Sequence, residues 1–221
     1  MPSPRAARTR VDAILLAGTI LVAGAGLLGA DFARPDPATF TLGATTEVEI
    51  RQRFGLPYGQ TTAQVGNGQV TTLQYSYAEV RSTAIPVRTM TYTFHEGRLV
   101  GFDYSSSFVL DETAFDESIA KKIKRGETTR TEVLALAGKP TGQFIYPSLQ
   151  APTPGWRAYV YGYSRSERLP SDLTIETTNK VLTIAFDDHD VVVEYSLVIT
   201  SISKPLRPAP NALHPPNGGR S

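Results

Sequence analysis

The 221-residue chain has no cysteine. Disulfides, thiolate metal sites, cysteine nucleophiles and lipid attachment through cysteine are therefore excluded. Charge of one sign is also missing: a formal net charge of +1 gives no electrostatic footprint for nucleic acid or an anionic surface. The chain lacks a G-x-S-x-G elbow, a Walker loop, an H-E-x-x-H pair and a G-x-G-x-x-G ahead of a helix. No catalytic residue, metal site or cofactor is expected. Histidine is limited to His95, His189 and His214.

What is present is enough apolar material to fold, at 41% hydrophobic and 19% charged residues. The N-terminus reads as an address. Arg5, Arg8 and Arg10 precede an uncharged run of Ala, Leu, Ile, Val and Gly over residues 13–30, the layout of a secretory signal. As a helix that run would span about 27 Å, near the hydrocarbon thickness, so cleavage and retention as an anchor both fit. Leu27-Leu28-Gly29-Ala30-Asp31 looks like a lipoprotein leader with Asp31 in place of the lipidated cysteine. At the other end, five prolines within residues 205–221 predict a disordered tail over 201–221.

A repeat organises the middle. Residues 43–60 return at 126–143, 83 positions later, with eight identities in eighteen: G-x-T-T-x-x-E-[IV]-x-x-x-x-G-x-P-x-G-Q. Thr46 with Glu49, and Thr129 with Glu132, have the spacing of capping boxes. A helix of about two turns should follow each, with Ile50 and Phe54, or Val133 and Ala137, facing inward. Gly55 and Gly138 suit the left-handed position after a helix, and Pro57 and Pro140 forbid continuation. Gly43 and Gly126 open the two copies.

Strands come next. Alternating, β-branched and aromatic residues mark 70–77, 88–94 and 98–104 in the first copy, and 156–161, 181–186 and 191–198 in the second. The last two of each copy should form a hairpin. Phe115, Ile119 and Ile123, four apart, predict an extra amphipathic helix over 112–124. The first copy has only Pro35-Asp36-Pro37-Ala38-Thr39-Phe40 there, so its leading helix is missing or one turn long. The predicted fold class is α+β: two tandem units, 36–110 and 111–200, each with one or two short helices on a small antiparallel sheet.

The G-x-T-x-x-E-[IV] helix ending in G-x-P resembles the SmpA/OmlA (BamE-like) domain. So do Trp156-Arg157-Ala158-Tyr159-Val160-Tyr161 and Leu182-Thr183-Ile184-Ala185-Phe186-Asp187, and in the first copy Tyr75-x-Tyr77 and Tyr92-Thr93-Phe94. The resemblance covers about residues 43–199. It implies a fold similar to the β-lactamase-inhibitor-protein unit, without catalysis or cofactor. It further implies an envelope protein partner, with the β-barrel assembly machinery the family's best-known one. The chain departs from those members in carrying two copies and no lipobox cysteine.

Asp187-Asp188-His189-Asp190 is the best local ligand cluster, yet four polar residues between apolar strands are also what a hairpin turn needs. The candidate interface residues are the aromatics beside the connections after each G-x-P turn: Tyr58, Phe144, Tyr146 and Trp156. With Pro147, Pro152 and Pro154, residues 144–156 read as an irregular loop. Two functional readings follow. One is an exported, membrane-associated periplasmic scaffold aiding outer-membrane assembly; the other is a soluble periplasmic or secreted binding or inhibitor protein.

Overall fold

The structure, a computed structural model, describes residues 36–65, 68–79, 86–111, 113–169 and 174–205. The expected leader, residues 1–30, and residues 206–221 of the expected tail lie outside these. No helix among the described residues is long and apolar enough to cross a membrane.

The two-unit α+β expectation is overturned. The described residues are mostly β: one eight-stranded antiparallel sheet in chain order, with two α-helices of eight residues each. The strands are β1 (Gly59–Val65), β2 (Gly68–Ala78), β3 (Val87–His95), β4 (Arg98–Ser106), β5 (Gly142–Ile145), β6 (Arg157–Leu169), β7 (Thr174–Phe186) and β8 (Val192–Pro205). The helices are α1 (Glu47–Phe54), before β1, and α2 (Arg130–Ala137), before β5. Two small sheets become one because β5, expected as loop, pairs with β4 through Gly101↔Phe144, Phe102↔Gln143 and Asp103↔Gly142, and with β6 on its other side.

The predicted helix over 112–124 shrinks to a 3-10 turn, Glu117–Lys121, capped by Asp116 accepting from the Ser118 amide. Ile119 and Ile123 are still buried, so the four-residue spacing records their burial in a less regular chain. Among the described residues ahead of α1, a 3-10 turn at Pro37–Thr39 leads into the buried Phe40. Residues 201–205, expected in the tail, extend β8 opposite Thr174–Thr178.

Both capping boxes are formed. Thr46 and Thr129 accept from the amides of Glu49 and Glu132 at 3.3 Å, and each glutamate accepts from the cap amide at 2.6 and 2.7 Å. Each helix entry is sewn to a hairpin. Gly43 N donates to Leu99 O at 2.7 Å and Leu99 N to Thr45 O at 2.7 Å; Gly126 N donates to Val192 O at 2.8 Å and Val192 N to Thr128 O at 2.9 Å. At the exits, Gly55 (φ 75°, ψ −148°) and Gly138 (φ 72°, ψ −157°) sit outside the left-handed helical well expected for them, in a region close to exclusive to glycine. Their carbonyls accept from Tyr75 Oη at 3.1 Å and Tyr161 Oη at 3.0 Å.

Strand register fixes which side chains share a face. One row runs across all eight strands as Gln60, Leu73, Tyr92, Phe102, Gln143, Tyr159, Ile184 and Tyr195. This is the helix side. There α1 buries Ile50 against a cluster including Leu73, Tyr75, Tyr92 and Phe102, and α2 buries Val133 against Tyr159, Tyr161, Leu182 and Ile184. The first cluster is rich in rings: Tyr92 meets Phe40 edge-on at 5.2 Å and stacks with Phe54 at 5.5 Å, contacts that add to area burial.

Candidate functional site: the uncovered sheet face

Alternate residues of the same strands point away from the helices. Their two complete rows are Gly59, Gln74, Thr91, Asp103, Gly142, Val160, Thr183, Ser196, and Thr61, Thr72, Thr93, Gly101, Phe144, Ala158, Ala185, Glu194. The composition changes along each row. Over β1–β3 the side chains are threonine and glutamine, at the junction of β4 and β5 each row has one glycine, paired with Asp103 or Phe144, and over β6 and β7 they are Val160, Ala158 and Ala185 with Thr183.

The apolar stretch is covered. Phe144, Ala158, Val160 and Ala185 form a buried cluster against which Trp156 and Val193 pack. Phe144 fits because residue 101 has no side chain: a Cβ there would lie 1.9 Å from Phe144 Cδ1. The connection from β5 to β6 folds back on itself, with Ser148 and Ala151 fully buried and paired through Ser148 N to Ala151 O at 3.3 Å.

No described residue packs over the polar stretch as Trp156 and Val193 do over the apolar one. Thr61 is exposed, and Thr72, Gln74, Ser76, Thr89 and Thr91 are half-buried. Thr72 and Thr93 hydroxyls lie 3.3 Å apart, and Gln74 Nε2 donates to Ser76 Oγ at 3.4 Å. Asp103 supplies a carboxylate at the junction, where Thr141 Oγ1 lies 3.2 Å from its Oδ1 while accepting from Gly162 N at 2.8 Å. The result is a pleated plate of hydroxyls and amides, able to exchange many hydrogen bonds with a polar surface.

The expected interface aromatics do not converge. Tyr58 is 55% exposed, just before the row that begins at Gly59. Tyr146, 41% exposed, follows β5 at the opposite end of the strands. By strand spacing the two are about 19 Å apart across the sheet and roughly 17 Å along it. Trp156 is half-buried, and Phe144 is 4% exposed, which removes it from any surface. Its burial follows from β5 being a strand with Gly101 beneath it. Gly43, Thr46, Glu49, Gly55, Pro57 and their counterparts Gly126, Thr129, Glu132, Gly138, Pro140 all lie at the helix entries and exits described above.

Asp187 accepts from the amides of His189 and Val191 at 3.0 and 2.9 Å, closing the β7–β8 turn. Asp188 and His189 are exposed beside it. On the helix side, Asp111 is a heavily bonded carboxylate. Arg88 donates to both its oxygens at 2.8 and 3.2 Å, Tyr104 at 2.7 Å and Ser106 at 2.5 Å. Burial works against its ionisation, but these donors outweigh that and hold the carboxyl below its ordinary range. The group ties β3 and β4 to the segment leading to α2. It also lines one wall of a cleft of about 320 Å³ shared with Phe115, Lys139 and Tyr161.

The uncovered plate was missed in the sequence, although its signal was there: Thr89, Thr91 and Thr93 alternate with Met90, Tyr92 and Phe94, a polar face opposite an apolar one.

No family model matches the sequence, and no curated protein does. The SmpA/OmlA resemblance therefore rests on its motifs alone. Among solved structures, the chain is similar to a candidate beta-lactamase inhibitor protein from Streptococcus mutans, at 16% identity and a TM-score of 0.35, over 71% of this chain and 83% of that one.

Proposed function

We propose that this chain is a non-enzymatic exported binding protein that grips a partner protein on the uncovered half of its sheet. The observation that supports this reading is the division of one continuous sheet. Its helix side and the β6–β7 part of the other side are packed, while hydroxyls and amides over β1–β4 are left at the surface. Such a surface is pre-organised by the strand ladder, so little conformational entropy is lost on docking. It carries few charges, so it suits a polar partner surface better than a strongly charged one. Of the two functional readings in the sequence, this is the soluble binding or inhibitor type.

The test is binding of the purified protein to a panel that includes a β-lactamase, other exported hydrolases and barrel-assembly components, measured by biolayer interferometry. Thr72→Arg and Thr91→Arg, each projecting a long cation from the plate, should weaken capture of the recognised partner at least tenfold. Lys139→Glu, on the helix side, should leave it unchanged. Capture that survives both plate variants would sink the reading, as would capture lost only with Lys139→Glu.

A further inference from the structure

The two copies of the repeat are filled differently behind the helix exit. In the first, the last residue of α1 is Phe54, whose ring lies 5.6 Å from that of Tyr75 and 5.5 Å from that of Tyr92. In the second, 83 positions on, the last residue of α2 is Ala137. The tyrosines beneath correspond, since Tyr75 donates to Gly55 O and Tyr161 to Gly138 O. The second copy therefore keeps the tyrosine and lacks the helix ring that packs on it. Phe115 approaches Tyr161 from the segment before α2, with ring centroids 6.3 Å apart, but it leaves the space open. Ala137, Phe115 and Tyr161 all line the cleft of about 320 Å³ beside Asp111, a volume at the small end for a ligand site.

We infer that this cleft binds a small aromatic monocarboxylate. The ligand ring takes the place that Phe54 takes in the first copy, against Tyr161 and Phe115, in the offset or edge-on geometry that aromatic pairs prefer. The other end of the ligand is selected by which polar groups of the lining are still free. Asp111 already accepts from Arg88, Tyr104 and Ser106. Thr113 donates to Ser106 O and Thr141 to Val160 O, both at 3.0 Å, and the Tyr161 hydroxyl is committed to Gly138 O. Lys139 differs. It is exposed, one residue past the exit glycine, and its amine has no partner among the described residues. In the first copy that position is Leu56. Phenylalanine and leucine are thus replaced together by alanine and lysine, which puts a vacant ring site beside a free cation. A ring and a carboxylate complement the two. Leu110, also in the lining and 91% exposed, loses apolar area to water when a ring enters, and burying that area favours binding. The Asp111 carboxylate offers no donor to a second acid group, which limits the ligand to one.

Saturation-transfer NMR on the full chain tests this with phenylacetate, its neutral counterpart phenylacetamide, and acetate. Phenylacetate should bind in the millimolar range or tighter, phenylacetamide about threefold more weakly, as an exposed ion pair warrants, and acetate not detectably. Lys139→Gln should weaken phenylacetate by about threefold and leave phenylacetamide unchanged, a split that a merely structural lysine would not produce. Ala137→Phe, which supplies the ring of the first copy, should abolish binding of both while the thermal midpoint holds or rises. No transfer to phenylacetate at millimolar concentration overturns the inference, as does binding that survives Ala137→Phe in a folded protein. So does an acid-over-amide preference that Lys139→Gln leaves unchanged, a comparison that decides the matter even if the phenylalanine variant fails to fold.

Discussion

Phe144 occupies the space that a side chain at residue 101 would need, with Cδ1 only 1.9 Å from where a Cβ would stand. This contact, where β4 meets β5, is what seats the shortest strand in the sheet. Gly101→Ala should therefore displace the ring and cost about 2 kcal/mol, within the usual range for an overpacked core. Urea denaturation checks the loss. Phe144→Ala alone should also destabilise, but adding Gly101→Ala to it should cost little more, because the clash is already gone. Strict additivity of the two would refute the contact as described.

Three buried tyrosines that look alike in the sequence should not respond alike. Tyr75 donates to Gly55 O, and Tyr161 does the same for Gly138 O. Replacing either with phenylalanine leaves a helix-exit carbonyl without that donor, at about 1 kcal/mol each. Tyr92 is fully buried, and its hydroxyl has no hydrogen-bond partner among the described residues. Tyr92→Phe removes that uncompensated group and should be neutral or stabilising by up to about 1 kcal/mol. Thermal unfolding of the three single variants separates the cases; equal losses in all three would contradict the assignment.

The acid limb of the stability profile should be steep. Asp111 is held below its ordinary 3.8, with the pull of its donors exceeding the opposing effect of burial. Glu49 and Glu132 are held below 4.5, mainly by the Thr46 and Thr129 backbone amides they accept from. A carboxyl with a lowered folded pKa contributes stability that is present at neutral pH and is lost as pH falls through that folded value. Denaturation midpoints should hold from pH 7 to about 5 and then fall below about pH 4.5. Asp111→Asn should cost about 3 kcal/mol at neutral pH by taking the carboxylate charge away from Arg88 in a largely buried site. It should also flatten the decline, and an unchanged slope would exclude Asp111 as a contributor.

At the helix exits the backbone itself sets the residue. Nothing lies within 4 Å of a Cβ placed on Gly55 or Gly138, yet both hold a positive φ with ψ near ±150°. Alanine there meets strain and no clash, so each substitution should cost about 1–3 kcal/mol, read as a lower midpoint with unchanged denaturant slope.

These residues also show which parts of the fold were legible. The capping boxes and glycine exits are local, so a pattern of eighteen residues carries them. The two hairpins were legible because one face of each strand is aromatic or branched. β1 escaped notice because an edge strand buries little and shows no apolar alternation in Gly59–Val65. β5 escaped because its four residues become a strand only through partners about 40 positions back, among them Gly101. That one tertiary pairing decides between two separate α+β units and one continuous sheet. Likewise Phe144 reads as a surface anchor in the sequence, since no local signal reports the missing side chain opposite it. The uncovered plate needed the register across β1–β4 before its threonines could be seen to share a face.

The junction has a mechanical corollary. Three register pairs join β4 to β5, whereas nine join β2 to β3 and thirteen join β6 to β7. On either side stands a core with its own aromatic centre, around Tyr92 and around Phe186. A load applied between the two ends of the chain meets its fewest hydrogen bonds at this joint. Pulled in an optical trap, the molecule should yield there first, as a fuse does, and extend in two events of unequal length.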